Sequence, residues 1–319
     1  MARIKGKLTP LLALLAVFSG CESGPVDPPP LVGNVTAYVG ADTQVNDTAV
    51  VVDGRAVVTF GDVNRSLWLE HQVLHEYGGI GSFETDVLRS ESWFVRFSHR
   101  LGPRRPDAPY VDHGEVRLAD TMLWKHGDPH FLGYGTSVYA HREYLDGREI
   151  TFAEASYLPA VHSGSPLSFS STGSEQAGAF ATVVSARPKF VLTHIESGRE
   201  LDFRRQRPEI RASDGFVLRF DRPLDPARLA IRVGADQRIP GASAYLRLND
   251  SSDRIVIPGS VLSELLAKHG GDSAEYVLIL SEYHTDREAI TGRLLPAQEP
   301  YALDFVQHNI LRIFFSLKR

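Results

Sequence analysis

The sequence predicts an all-β protein made of two β-sandwich domains in tandem. Apolar residues recur at every second position along many segments, and Asp-Gly pairs fall between strand-like runs. Helical spacing is confined to one short stretch. A βα alternation would need a helix after nearly every strand, and no such series is present.

Thr48 to Phe60 holds two valine-rich runs around Asp53-Gly54, a pair whose positive backbone angles suit a tight hairpin. Arg142 to Phe152 repeats the pattern around Asp146-Gly147. Between them, Trp93, Val95 and Phe97 alternate with Phe94, Arg96 and Ser98, as a strand with one face toward a core requires. Glu115 to Leu118 and Ala179 to Ser185 are further strands. Arg187-Pro188 interrupts this series and a fresh set starts with Lys189 to Ile195, which places a domain boundary near residue 187. The first sandwich then spans 34–187 and the second 188–319.

In the second domain Phe216, Leu218 and Phe220 alternate with Val217 and Arg219, and Leu229, Ile231 and Val233 with Ala230 and Arg232. Tyr276, Leu278 and Leu280 continue the pattern. Leu311, Ile313, Phe315 and Leu317 share a face opposite Arg312 and Ser316, so the C-terminus is expected to close a sheet as an integral strand. The helical stretch is Ser260 to Gly271, with Ser260 as its cap, leucines at helical spacing, and Gly270 and Gly271 as its stop. From Gly215 to Gly234, a strand ending in an acidic-proline turn leads into another strand, and here the chain resembles bacterial Ig-like modules. The resemblance implies an Ig-like sandwich over 188–319, without the cysteine and tryptophan pins of antibody domains.

The N-terminal segment reads as an address. Arg3, Lys5 and Lys7 precede an apolar run from Leu11 to Phe18, and Ser19 and Gly20 follow with small side chains. A membrane span needs about 20 apolar residues, so this run of eight is a secretory signal over 1–20. Phe18-Ser19-Gly20-Cys21 resembles the lipobox of bacterial lipoproteins, with phenylalanine where that family usually has an aliphatic residue. The resemblance implies cleavage before Cys21, a diacylglycerol on its thiol and acylation of the new amino terminus. Two or three chains hold a protein firmly where one gives only marginal binding. Glu22 in place of aspartate implies the outer membrane. An ordinary secretory signal with a chance cysteine is the alternative. Residues 21–33, with four prolines between Pro25 and Pro30, read as an extended stalk.

Composition narrows the partners. Residues 1 to 20 carry three basic and no acidic side chains, so the processed chain would hold 31 basic against 39 acidic residues, a net charge of about −8. An acidic globule has no overall attraction for nucleic acid. Its one cysteine, Cys21, leaves no thiol for an internal disulfide.

Catalytic motifs fail. Of twelve histidines, eight lie before residue 187: His71, His75, His99, His113, His126, His130, His141 and His162. His71 and His75 would need a helix to share one ion, and Gly79 stands where a second zincin histidine after His75 would be. In a strand they lie about 13 Å apart and are expected to be a surface or rim pair. His126, Asp128 and His130, separated by a glycine and a proline, are better shaped for a metal site, but such residues are also ordinary in turns, and a solvated loop is the favoured reading. Gly135-Thr-Ser137-Val-Tyr139 lacks the closing glycine of a nucleophile elbow, and Gly78 to Glu84 has neither dinucleotide nor P-loop spacing. Glu91 with Asp86 could serve as a carboxylate pair only at a separation that sequence does not supply. Trp68, Trp93, Trp124, Tyr134, Tyr139 and Tyr144 could stack on sugars or peptide, but at least two tryptophans are expected in cores.

Two functional expectations follow. The first is a lipid-anchored envelope protein that binds or scaffolds without chemistry or cofactor, its partner an envelope protein or glycan met by loops at the sandwich ends. The second is a metal-binding or metal-dependent hydrolytic lipoprotein using His126, Asp128 and His130.

Overall fold

A computed structural model of the chain describes residues 31–40, 43–45, 49–52, 54–59, 67–78, 87–97, 111–119, 121–125, 133–135, 139–143, 149–151, 166–201, 203, 207–235 and 243–319. The expected signal at 1–20, Cys21 and the stalk as far as Pro30 lie outside these residues. Leu31 and Val32, assigned to the stalk by sequence, are instead a strand. They pair with Thr36 and Val35 across a tight Gly33-Asn34 turn, where Gly33 has φ +67°.

In chain order the strands are β1 (Leu31–Val32), β2 (Val35–Val39), β3 (Thr43–Val45), β4 (Ala49–Val52), β5 (Arg55–Thr59), β6 (Leu67–Tyr77) and β7 (Val87–Phe97). Short strands follow: β8 (Val116–Leu118), β9 (Thr121–Met122), β10 (Trp124–Lys125), β11 (Gly133–Gly135), β12 (Tyr139–Glu143) and β13 (Glu149–Thr151). Then come β14 (Pro166–Ser171), β15 (Phe180–Ser185), β16 (Leu192–Glu196), β17 (Glu209–Arg211) and β18 (Phe216–Leu224). A 3-10 turn (Pro226–Arg228) leads to β19 (Leu229–Ala235), β20 (Ser243–Leu248), β21 (Ser252–Ile257), helix α1 (Gly259–His269), β22 (Ser273–Leu294) and β23 (Glu299–Lys318). The fold is all-β with one α-helix among the described residues.

The expected Asp-Gly hairpin forms. Val52 pairs with Arg55 across the turn, and Gly54 has φ +76°. The second expected hairpin pairs Glu143 with Glu149, its turn lying outside the described residues. Helix α1 stops where expected, on Gly270 in the left-handed region, but Ser260 is not its cap. The helix starts one residue earlier, at Gly259 after Pro258, so Ser260 sits within the first turn and no side-chain cap bond is made. The buried face of α1 carries Val261, Leu262, Leu265 and Leu266, and the Tyr276 hydroxyl donates to the Leu265 carbonyl at 3.1 Å.

The long hairpin β22–β23 organises the molecule. The main sheet runs β1-β2-β20-β19-β22-β23-β6-β7-β11-β10, with β12 and β13 attached at β7. The C-terminal strand is not at an edge. It lies between β22, antiparallel, and β6, parallel, and its last residues also pair in parallel with β17. Every odd-numbered residue of β23 from Tyr301 to Leu317 is buried, so one face of the strand points inward over its whole length.

Two apolar cores sit on that face, at the two ends of the hairpin. One lies under the β16-β18-β21 sheet and α1, and joins Leu218, Ile255 and Leu262 to Leu278, Leu311 and Phe315. The other lies under the β15-β14-β8-β9 sheet, and joins Phe169, Val116 and Val184 to Trp93, Val95, Leu303 and Phe305. The outer face at β19 and β20 is covered by β3, β4 and β5, where Val50, Val52 and Val58 enclose Ala230 and Tyr245. Two independent bodies would each close their own sheets. Here β2 adds to β20 and β6 to β23, so a single sheet draws strands from both sides of residue 187 and serves both cores.

Candidate functional site

Between the two cores the inward row turns polar. On β23 the series Leu303, Phe305, Gln307, Asn309, Leu311 places two amides at core positions, and on β22 Glu282 and His284 lie opposite them. Gln307 is 2% exposed and Glu282 0%. The pairings set His284, Gln307, His71 and Trp93 in one row across four strands. A bulge follows, in which the five residues of β22 from Asp286 to Ile290 stand against the three of β23 from Leu303 to Phe305.

Burying a carboxylate is costly unless hydrogen bonds replace its water. Glu282 has them. Arg222, reaching in from β18, donates to Oε2 at 2.7 Å, and Asn309 Nδ2 donates to the same oxygen at 3.2 Å. His284 Nε2 stands 3.4 Å from Oε1. Burial works to raise the Glu282 pKa, but the bonds and charges of His284 and Arg222 outweigh it and hold the carboxyl down at about 2. Arg228, from the 3-10 turn, lies 2.7 Å from His284 Nδ1. Arg187 closes the row: its backbone N–H donates to Gln307 Oε1 and its guanidinium to Asp286 at 3.3 Å. The residue expected to mark a boundary is thus fastened into the seam between the cores.

The seam binds layers together and presents no nucleophile to solvent. Catalysis needs a reacting atom that substrate can reach, and Glu282 and His284 are both buried. Ligand access is better at the end of the first core, where Glu196, Ser197, Gly198, Arg199 and Glu200 overhang a cavity of about 370 Å³. Phe216, Val217, Val256, Ile257 and Pro258 supply its apolar lining and Asp214 a further carboxylate. Arg219, hydrogen-bonded to Glu196 at 2.8 Å, holds that carboxyl below the ordinary range. His194 lies 3.7 Å from Glu200.

The residues singled out in the sequence scatter. His126, Asp128 and His130 lie outside the described residues, as do His99, His162, Asp86 and Tyr144, and Cys21. The strands holding Glu91, Trp124, Tyr134, Tyr139 and His141 are described, their side chains not. His71 and His75 share a face of β6, as an extended strand requires, but His71 is no surface residue. Its ring is buried and stacks on Trp93 at 4.2 Å between centroids, because the register with β7 sets the two opposite each other. His113 is buried against Phe97 at 3.8 Å, with its Nδ1 3.2 Å from the Tyr301 hydroxyl. Trp93 is in the core, and half-buried Trp68 lies beneath the Arg96 guanidinium at 5.7 Å. Among the described residues no three histidine, cysteine, aspartate or glutamate side chains come together as a metal set.

Sequence reasoning missed Arg222, Arg228, Glu282, His284 and Asn309, which belong to no motif. The available signal was the interruption of the alternation, two amides at positions 307 and 309 amid aliphatic and aromatic neighbours. The chain matches no protein-family model, and no curated protein or solved structure is detectably similar to it.

Proposed function

We propose that this chain is a lipid-anchored protein of the bacterial cell envelope that binds or scaffolds without chemistry. The observation that carries the reading is Phe18-Ser19-Gly20-Cys21, placed between an apolar run and a proline-rich stalk. Cys21 is the acylated residue, the amino acids before it are removed, and the outer membrane is the destination that Glu22 implies. No helix among the described residues is long and apolar enough to cross a membrane. The 370 Å³ cavity at the loop end of the first core supplies a contact surface of the kind a binding protein needs. The partner is an envelope protein or a glycan.

The test is fractionation of cells producing wild type and Cys21→Ser. Wild type is expected with the membranes, and Cys21→Ser in the soluble fraction or as uncleaved precursor. A processed, membrane-bound Cys21→Ser protein would refute the anchor.

A further inference from the structure

We propose that His284 is the proton sensor of an acid-opened latch, which holds the Pro226–Arg228 turn against the long hairpin. A guanidinium has only N–H donors, so the 2.7 Å contact of Arg228 Nη1 with His284 Nδ1 is a bond only while Nδ1 carries a lone pair. The ring proton is then on Nε2, facing Glu282 Oε1 at 3.4 Å.

Protonation puts an N–H of His284 against an N–H of Arg228 and sets two cations side by side. The bond cannot survive. Arg228 has another partner within reach, Asp225 Oδ2, 3.3 Å from its Nε on the exposed turn. Protonated His284 keeps Glu282, which stays ionised in mild acid and retains Arg222 and Asn309. Asp286, also on the hairpin beside the row, is engaged with Arg187. Across Gln307 lies His71, stacked on Trp93.

Acid therefore frees the turn and leaves the hairpin intact. The turn runs directly into β19, whose Ala230 is enclosed by Val50, Val52 and Val58 of the outer three-stranded sheet. Opening the latch loosens that cover.

The test is NMR of the labelled full-length protein in detergent micelles from pH 8 to pH 4, on wild type and His284→Gln. The glutamine amide can accept from Arg228 and donate to Glu282 at any pH, so it keeps the latch shut. At pH 8 the wild-type ring is expected as the Nε2–H tautomer. On acidification the His284 ring, the Arg228 side chain and the amides of Ala227 to Leu229 should share one midpoint, with severalfold faster amide exchange in β5. In His284→Gln the Arg228 and turn transitions should vanish. An Nδ1–H tautomer at pH 8, an Arg228 that ignores the His284 titration, or a transition surviving in His284→Gln would overturn the proposal. Should the variant fail to fold, the wild-type tautomer and shared midpoint decide the matter alone.

Discussion

Glu282 and His308 carry opposite lessons about a buried titratable group. Glu282 is charged because Arg222, His284 and Asn309 replace its water. Removing one partner of such a pair strands the other, at a cost of about 3 to 5 kcal/mol. Arg222→Met is expected to destabilise by that amount in urea unfolding at pH 7, and a loss below 1 kcal/mol would show that the pair is not buried as described. His308, on the other face of β23, retains some solvent contact, but its ring stacks on Tyr283 at 4.0 Å. Burial first, and the Arg312 charge second, lower its pKa from 6.5 to about 3. The unfolded chain therefore binds the extra proton between these values, and stability, complete above pH 6.5, falls as pH drops toward 3 at about 1.4 kcal/mol per unit. Glu282 adds a loss of the same sign, confined to the window from 4.5 down to about 2. Wild type should lose about 2 kcal/mol more than His308→Phe between pH 6.5 and pH 5, and equal losses would count against a neutral, enclosed ring.

At the scale of elements, most strands were legible because alternation is a local property. Trp93-Val95-Phe97 and the residues from Leu311 to Leu317 announce both strand and face, and Gly54 and Gly270 take the left-handed conformations their positions suggested. Length and pairing were not legible. Nothing local distinguishes the 22 residues of β22 from two shorter strands, and the parallel docking of β6 on β23 joins residues more than two hundred apart. The seam was half legible, since Gln307 and Asn309 break the alternation, but the arginines that meet it come from elements distant in sequence, Arg222 from β18 and Arg228 from the 3-10 turn. Glycine contacts give a test at this scale. Gly215 has φ +65°, and a Cβ there would fall 2.4 Å from the Ile257 carbonyl oxygen, whereas Gly198 has the same φ with open space around it. Gly215→Ala should cost at least about 2 kcal/mol more than Gly198→Ala, because only the first adds a backbone clash to the left-handed penalty. Comparable melting temperatures for the two variants would contradict the packing at the start of β18.

For the whole molecule, the shared hairpin means that neither core can lose its sheet without exposing the other. Urea unfolding followed by tryptophan fluorescence, to which Trp93 in the second core contributes with Trp68 and Trp124, should coincide with the far-ultraviolet circular dichroism of the entire sheet. Two separated midpoints would restore independent tandem bodies. The proposed anchor, by contrast, is read from one short contiguous run of residues in the sequence alone. A chain with a single cysteine and a net charge of −5 holds its fold by burial and by the polar seam, with no disulfide available within it. The proposed role requires that one thiol to be the membrane tether. Mass spectrometry of the protein extracted from membranes tests this most directly. The account predicts a mature chain that begins at Cys21 and bears a diacylglyceryl thioether there, whereas an unmodified cysteine, or a different first residue, would contradict it.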